Sequence, residues 1–222
     1  MHSPANFDSL VLDGLLVDWI SALKPYSVEA LVILGPAATG TRQQRWVHAV
    51  YPPRLQETAM ALAESEDFGY EWQVNDSPMV AWQTISRGMY GDLNRWRLLA
   101  LGHGLQSMVR VEFALPRSRA FECFLFTSQA MQERSEAAAL VWSTLNIWPK
   151  VRRVISEITC PLSRREKECL ALAFDGQTAA DTAITLECSE RTVTYHLANA
   201  MRKLQVDSKL AAIERACWYG AI

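Results

Sequence analysis

The 222-residue chain has little of what several protein classes require. Its five cysteines (Cys123, Cys160, Cys169, Cys188 and Cys217) are odd in number, and none stands in a CxxC pair. A secreted disulfide scaffold needs a denser, even set, so these residues read as reduced thiols of a cytoplasmic protein. The four histidines, His2, His48, His103 and His196, lack the spacing of metal ligands. No Gly-x-Ser-x-Gly elbow is present, and no catalytic constellation emerges, so neither a metal centre nor an enzyme is expected. No apolar run approaches the roughly 18 residues that span a bilayer. The N-terminal stretch MHSPANFDSLVLDGLLVDWI has no basic region and is interrupted by Asp8, Asp13 and Asp18, which excludes a signal peptide. Internal repeats and low-complexity segments are absent.

What is present is apolar. Half of the residues are hydrophobic, enough for a sizeable core, and the net charge is −2. The residues up to Lys150 include 12 basic and 15 acidic side chains; the remainder include 10 and 9. A near-neutral C-terminal part can bind nucleic acid only by gathering its positive charge on one face.

Residues 161–206 carry the densest punctuation. Ser163 and Glu166 form a capping box, each able to satisfy a backbone N–H at a helix start. Cys169, Leu170, Leu172 and Ala173 follow at helical spacing, and Gly176 stands where a left-handed residue ends the helix. Thr178 with Asp181 opens a second short helix carrying Ala179, Ala183, Ile184 and Leu186. Ser189 opens a third, with the apolar stripe Val193, Leu197, Ala200, Met201 and Leu204. Two short helices and a tight link before a longer one form a helix-turn-helix pattern. On the opposite face of the third helix lie Arg191, Thr194, Tyr195, Ala198 and Arg202, short or basic side chains of the kind that reach base edges in a major groove. Thr178, Ser189, His196, Lys203 and Lys209 are flanking phosphate-type donors. On pattern alone, a small three-helix module with a solvated polar face fits equally well.

The run L-S-x-R-E from Leu162, then Gly176, then Thr192-Val193, His196-Leu197, Asn199 and Lys203-Leu204, resembles the DNA-binding domain of the LuxR/FixJ family. The match extends from Leu162 to about Ile222. It implies that the third helix lies in the major groove of double-stranded DNA. It also implies that a fourth helix, starting at Ser208, supplies a dimer contact through Leu210, Ala211 and Ile213. The family's acidic-Ile-Ala run is here Asp181-Thr182-Ala183. Two positions that often hold basic readers hold Thr194 and Ala198, leaving Arg191 and Tyr195 as the readers.

The first 150 residues interleave helices and strands. Leu12, Leu15, Leu16, Trp19, Ile20 and Leu23 suit an amphipathic helix. Residues 28–35 and 45–51 read as strands around GPAATGT, a loop without the Lys that a phosphate-binding loop needs. Helices are expected over 54–65, 93–103 and 129–148, and a hairpin of 108–115 with 121–127. The resulting fold class is α+β with two domains: an α/β/α sandwich sensor over 1–148, a linker over 149–160, and a four-helix helix-turn-helix domain over 161–222.

Two sensor types accompany such domains in the family. A phosphoacceptor receiver needs a carboxylate cluster and a strand-end Lys, but only Lys24 and Lys150 occur here. The order Tyr51-Pro52, Trp82, Ala100, Gly104-Leu105, hairpin and long helix resembles the acyl-homoserine-lactone domain of quorum-sensing regulators. That resemblance implies that Asp67, fifteen residues before Trp82, hydrogen-bonds a ligand amide. The aromatic donors expected after Tyr51-Pro52 are replaced by Leu55 and Ala59, and Met108 stands in place of a glycine. A cavity is expected to join Asp67 and Trp82 to Leu55, Ala59, Trp96, Leu105 and Met108. It would take an acyl-homoserine lactone poorly, or a different apolar ligand; no other cofactor is implied. The function implied is a cytoplasmic, ligand-responsive, DNA-binding homodimer. The alternative is an anti-activator that acts through a heterodimer with another regulator of its type, independently of ligand.

Overall fold

The computed structural model describes residues 4–36, 45–65, 80–85, 95–115 and 119–222, with side chains of the first helix from Leu10 onward. Asp67, residues 37–41 of the GPAATGT stretch and the hairpin turn at 116–118 lie outside the described residues. The chain divides into two compact units, Met1–Val151 and Arg152–Ile222.

The first unit is built on a five-stranded antiparallel sheet of order β2-β1-β5-β4-β3. Its strands are β1 (Val28–Pro36), β2 (Arg45–Tyr51), β3 (Val80–Thr84), β4 (Ser107–Leu115) and β5 (Arg119–Thr127). β1 and β5 are interior strands, so their continuous apolar runs are buried on both faces rather than alternating. One face carries Ala30, Val32, Leu34, Phe124, Phe126 and Met108, which pack with α2 (Gln56–Glu64) and α3 (Arg95–Gly102). The other face is covered by α1 (Pro4–Ala22) and the N-terminal part of α4 (Arg134–Thr159). Trp19 Nε1 donates to Ser143 Oγ at 2.9 Å and joins these two helices. Trp148 stacks on Phe113 of β4 with ring centroids 4.1 Å apart. The layers are therefore α/β/α, as expected.

Residues 149–159, expected within a linker, are helical. α4 starts at Arg134, later than the expected 129, and runs through Pro149 to Thr159. Proline removes one helical hydrogen bond and costs about 3 kcal/mol in a helix interior. Here Leu140, Thr144, Trp148 and Val151 continue one buried stripe across it. Burial of that stripe offsets the lost bond, at about 1.5–3 kcal/mol for each large apolar side chain.

The second unit contains the end of α4 and then α5 (Arg164–Phe174), α6 (Ala179–Thr185), α7 (Glu190–Leu204) and α8 (Lys209–Tyr219). The expected capping box of Ser163 with Glu166 forms, and Thr178 with Asp181, expected as a helix start, forms a second one. Gly176 has φ 85°, a left-handed conformation natural to glycine, while the Gln177 N–H returns to the Leu172 carbonyl at 3.0 Å. Leu162, Leu170, Ala200, Leu204, Ala212, Ile213 and Ala216 form one core cluster. Cys169, Ala183 and Val193 form a second, beneath the α6–α7 turn.

Candidate functional site

α7 is the most strongly two-faced helix of the second unit. Val193, Ala200 and Leu204 are buried, and Leu197 and Met201 are half-buried against the two clusters. Arg191, Thr194, Tyr195, Ala198 and Arg202 are all exposed and form the opposite stripe. Ser189 caps the helix, its hydroxyl accepting from the Thr192 N–H at 3.1 Å. α6 precedes it through a tight turn in which Glu187 adopts φ 52° and the Cys188 N–H donates to the Ala183 carbonyl at 2.9 Å. The α6–turn–α7 pair thus holds one polar stripe outward on a helix of 15 residues.

The chemistry of that stripe follows from its bonds. Thr194 Oγ1 donates to the Glu190 carbonyl at 2.9 Å. Its hydroxyl proton is engaged with its own helix, so Thr194 can act outward only as an acceptor or through its methyl group, and Ala198 only through its methyl. Arg191, Tyr195 and Arg202 remain as the hydrogen-bonding members. Tyr195 is 64% exposed, with its ring edge-on to His196 at 5.9 Å.

Other donors are tied into the scaffold. Thr178 Oγ1 donates to Asp181 Oδ2 at 2.6 Å and accepts from the Asp181 N–H. Ser189 Oγ lies 2.8 Å from Thr192 Oγ1. Lys203 is half-buried, and its Nζ donates to Glu166 Oε2 at 2.8 Å. Glu166 is therefore both the capping carboxylate of α5 and the partner of Lys203 on α7, a link the sequence pattern missed. Burial raises its carboxyl, but the Lys203 ammonium, the Ser163 N–H and the Ser163 hydroxyl outweigh burial and hold it below the ordinary value. His196 is half-buried and Lys209 is exposed.

In the first unit, Leu55, Ala59, Trp96, Leu105 and Met108 do come together, in one buried cluster with Phe124 and Phe126. Trp82 does not join them. Trp82 pairs with Val109, and Val109 with Leu125, whereas Gln83 pairs with Met108 and Met108 with Phe126. Directly paired residues share a face, and successive residues alternate. Trp82 therefore lies on the opposite face of the sheet, 37% exposed, and the expectation that it lines this cluster is corrected. Met60, on the same helix as Ala59, points away from this cluster and is 52% exposed. At the end of the same sheet face Glu122 is buried between two arginines. It accepts from Arg110 Nε at 2.7 Å and from Arg45 Nη1 at 3.1 Å, and Arg110 also bonds Glu112.

A capped pair of short helices presenting one polar helix face, braced by flanking helices, defines a helix-turn-helix domain. Residues 160–216 match the family described as bacterial regulatory proteins, luxR family. The C-terminal unit is thus a LuxR-type helix-turn-helix domain. The transcriptional activator protein LuxR of Aliivibrio fischeri is 40% identical over 83 residues, covering 37% of this chain and 33% of that protein. The transcriptional activator protein AnoR of Acinetobacter nosocomialis is 29% identical over 96 residues, covering 41% and 40%. The chain thus spans about a third to two-fifths of the length of these curated relatives. Among solved structures, Escherichia coli SdiA aligns over 95% of this chain and 92% of its own, with 18% identity and a TM-score of 0.49.

Proposed function

We propose that the protein is a DNA-binding transcription regulator of the quorum-sensing type. In this reading α7 enters the major groove of double-stranded DNA. Arg191, Tyr195 and Arg202 reach base edges or phosphates, while Thr194 and Ala198 offer methyl groups to thymine C5-methyls. The observation that carries the reading is the wholly exposed stripe Arg191–Thr194–Tyr195–Ala198–Arg202 on the second helix of a LuxR-type motif. The LuxR and AnoR relatives are both named as transcriptional activators. Lys203, whose ammonium is held by Glu166, acts in this reading as a brace for α7 rather than as a phosphate ligand.

One helix-turn-helix covers one half-site, so a two-fold homodimer is the natural binding unit. The outer surface of the first unit supports it. An open groove of about 590 Å³ lies between α1 and α4. It is flanked by Trp142, 66% exposed, and one turn further along α4 by Leu145, 42% exposed. Residues 1–148 act in this reading as the sensor. The buried cluster beneath α2 and α3 is its signal-binding core, shaped for a ligand other than an ordinary acyl-homoserine lactone because Leu55 and Ala59 carry no hydrogen-bonding group.

Selection of binding sites from random duplex DNA tests the central claim. An enriched two-fold sequence is expected, and Arg191→Ala should weaken binding to it by about 1–3 kcal/mol and relax specificity at one base position per half-site. No enrichment over bulk DNA at physiological salt would refute it.

A further inference from the structure

The middle of the exposed α7 stripe differs from its ends. Arg191 stands three residues before Thr194, and Arg202 four residues after Ala198, so a basic side chain lies about one turn beyond each. Between them Thr194 and Ala198 are both exposed and four residues apart, neighbours on one helix face about 6 Å apart along its axis. Neither can donate a hydrogen bond outward. Thr194 Oγ1 gives its only proton to the Glu190 carbonyl at 2.9 Å, and an alanine side chain has no polar group. What the pair can offer a base edge is two methyl groups and one acceptor oxygen.

In a major groove, thymine and cytosine differ in two ways. Thymine O4 accepts where cytosine N4–H₂ donates, and thymine alone carries a C5-methyl group. The first difference is read only by a hydrogen bond. Ala198 makes none. The Thr194 oxygen can only accept, so it admits a cytosine amino group and cannot select thymine O4. Methyl contact senses only the second difference.

We propose that Thr194 and Ala198 recognise the C5-methyl group of a pyrimidine rather than the identity of the base, so that 5-methylcytosine serves in place of thymine at both positions. This rests on the reading of α7 as the major-groove helix. With a duplex rise of about 3.4 Å per base pair, the two contacts fall on neighbouring pairs rather than on one. Arg191 and Arg202 supply charge and hydrogen bonds at the two ends of the stripe, and the short side chains between them let the helix approach until methyl meets methyl. A half-site with cytosine at either position gains affinity when that base is methylated at C5, which makes binding sensitive to DNA methylation.

The test takes the full-length protein and the two-fold duplex enriched by selection from random DNA. Each thymine of the half-site is replaced in turn by uracil, which removes only the C5-methyl. Two positions per half-site should each bind about fourfold more weakly as uracil, the order expected for one methyl group lost from an apolar contact. At these positions unmethylated cytosine should bind weakly and 5-methylcytosine as tightly as thymine. Thr194→Ser keeps the hydroxyl and lacks the methyl; Ala198→Gly lacks the other methyl. Each variant should bind thymine and uracil equally at one position and keep the wild-type preference at the other. Because the readout is a ratio within one variant, a general loss of stability or affinity cancels. Thr194→Val, which keeps a methyl and lacks the oxygen, should retain the preference. A preference lost in Thr194→Val but kept in Thr194→Ser would make the oxygen the reader and overturn the Thr194 contact. Thymine-to-uracil ratios near one at every position, or ratios unchanged in both methyl-lacking variants, would overturn methyl recognition and leave the DNA-binding reading standing. Rejection of 5-methylcytosine where thymine is accepted would show that the base itself is read. Absence of any enriched site would defeat the DNA-binding reading and this inference with it.

Discussion

Lys203 on α7 donates to Glu166 at the N3 position of α5 across 2.8 Å, so one carboxylate both caps one helix and anchors the next long one. Removing the ammonium leaves Glu166, 4% exposed, without its charged partner. Lys203→Met should therefore destabilise the second unit by about 1–3 kcal/mol in urea unfolding. The Glu166 carboxyl sits below its ordinary value of 4.5, so its stabilisation is present above that pH and is lost as pH falls through the lowered value. The wild-type unit should accordingly weaken on the acid side, and the variant should show less of that dependence, since only the Ser163 bonds still favour the carboxylate. In DNA binding, the salt slope should be the same for wild type and variant. A slope smaller by about one in the variant would identify Lys203 as a phosphate ligand instead.

Trp142 exposes two-thirds of its surface on α4, and its replacement cannot empty a core. Trp142→Arg should leave the far-UV spectrum and melting temperature of the protein nearly unchanged. It should shift sedimentation from dimer to monomer at micromolar concentration, and lower affinity for a two-fold site far more than for a half-site. A dimer that persists in the variant would place the interface elsewhere.

His48 packs edge-on against Phe121 with centroids 5.4 Å apart, and its Nε2 has no partner. Burial lowers its pKa to about 4 from 6.5, opposed by a hydrogen bond with the Pro36 backbone. The folded state therefore keeps a neutral ring while the unfolded chain takes up a proton. Stability is full above pH 6.5 and falls as pH drops towards 4, with a total loss of about 3 kcal/mol. His48→Gln should flatten this window in chemical denaturation series at fixed pH. An unchanged pH profile in that variant would count against it.

Glu187 in the α6–α7 turn and Gln205 at the end of α7 both occupy left-handed backbone, with φ of 52° and 55°. A Cβ there costs about 1–2 kcal/mol, part of which glycine returns through its larger unfolded-state entropy. Glu187→Gly and Gln205→Gly should each raise stability by about 0.5–1 kcal/mol, and the pair should be additive by differential scanning calorimetry. A loss of stability in either would show that its side chain makes a compensating contact.

The second unit was legible from its residues because its signals are local. Ser163 with Glu166, and Thr178 with Asp181, satisfy backbone groups three positions apart, and α7 sorts its polar and apolar residues at a period of 3.6. The same locality made the strands at 28–35 and 121–127 legible as strands, while their interior places in the sheet came from the strand order. Three features were not legible. Pro149 signals a break, yet α4 passes through it because the buried residues on either side share one face. Trp82 has the sequence spacing of a pocket residue, but strand register decides the face, and one residue of register reverses it. Lys203 has the look of a phosphate donor, but its partner lies 37 residues away.

The sequence by itself determined the helix caps, the two-faced α7, the hairpin strands and the class of the C-terminal domain, since each depends on hydrogen bonds and side-chain spacing within about one turn or one strand. Tertiary structure alone decided which polar side chains of the C-terminal unit, Lys203 above all, are bonded within it. It also decided which face Trp82 occupies and that buried atoms such as His48 Nε2, Thr58 Oγ1 and Trp96 Nε1 are left without a hydrogen-bond partner. These depend on what packing brings together from distant parts of the chain, and no local pattern carries that information.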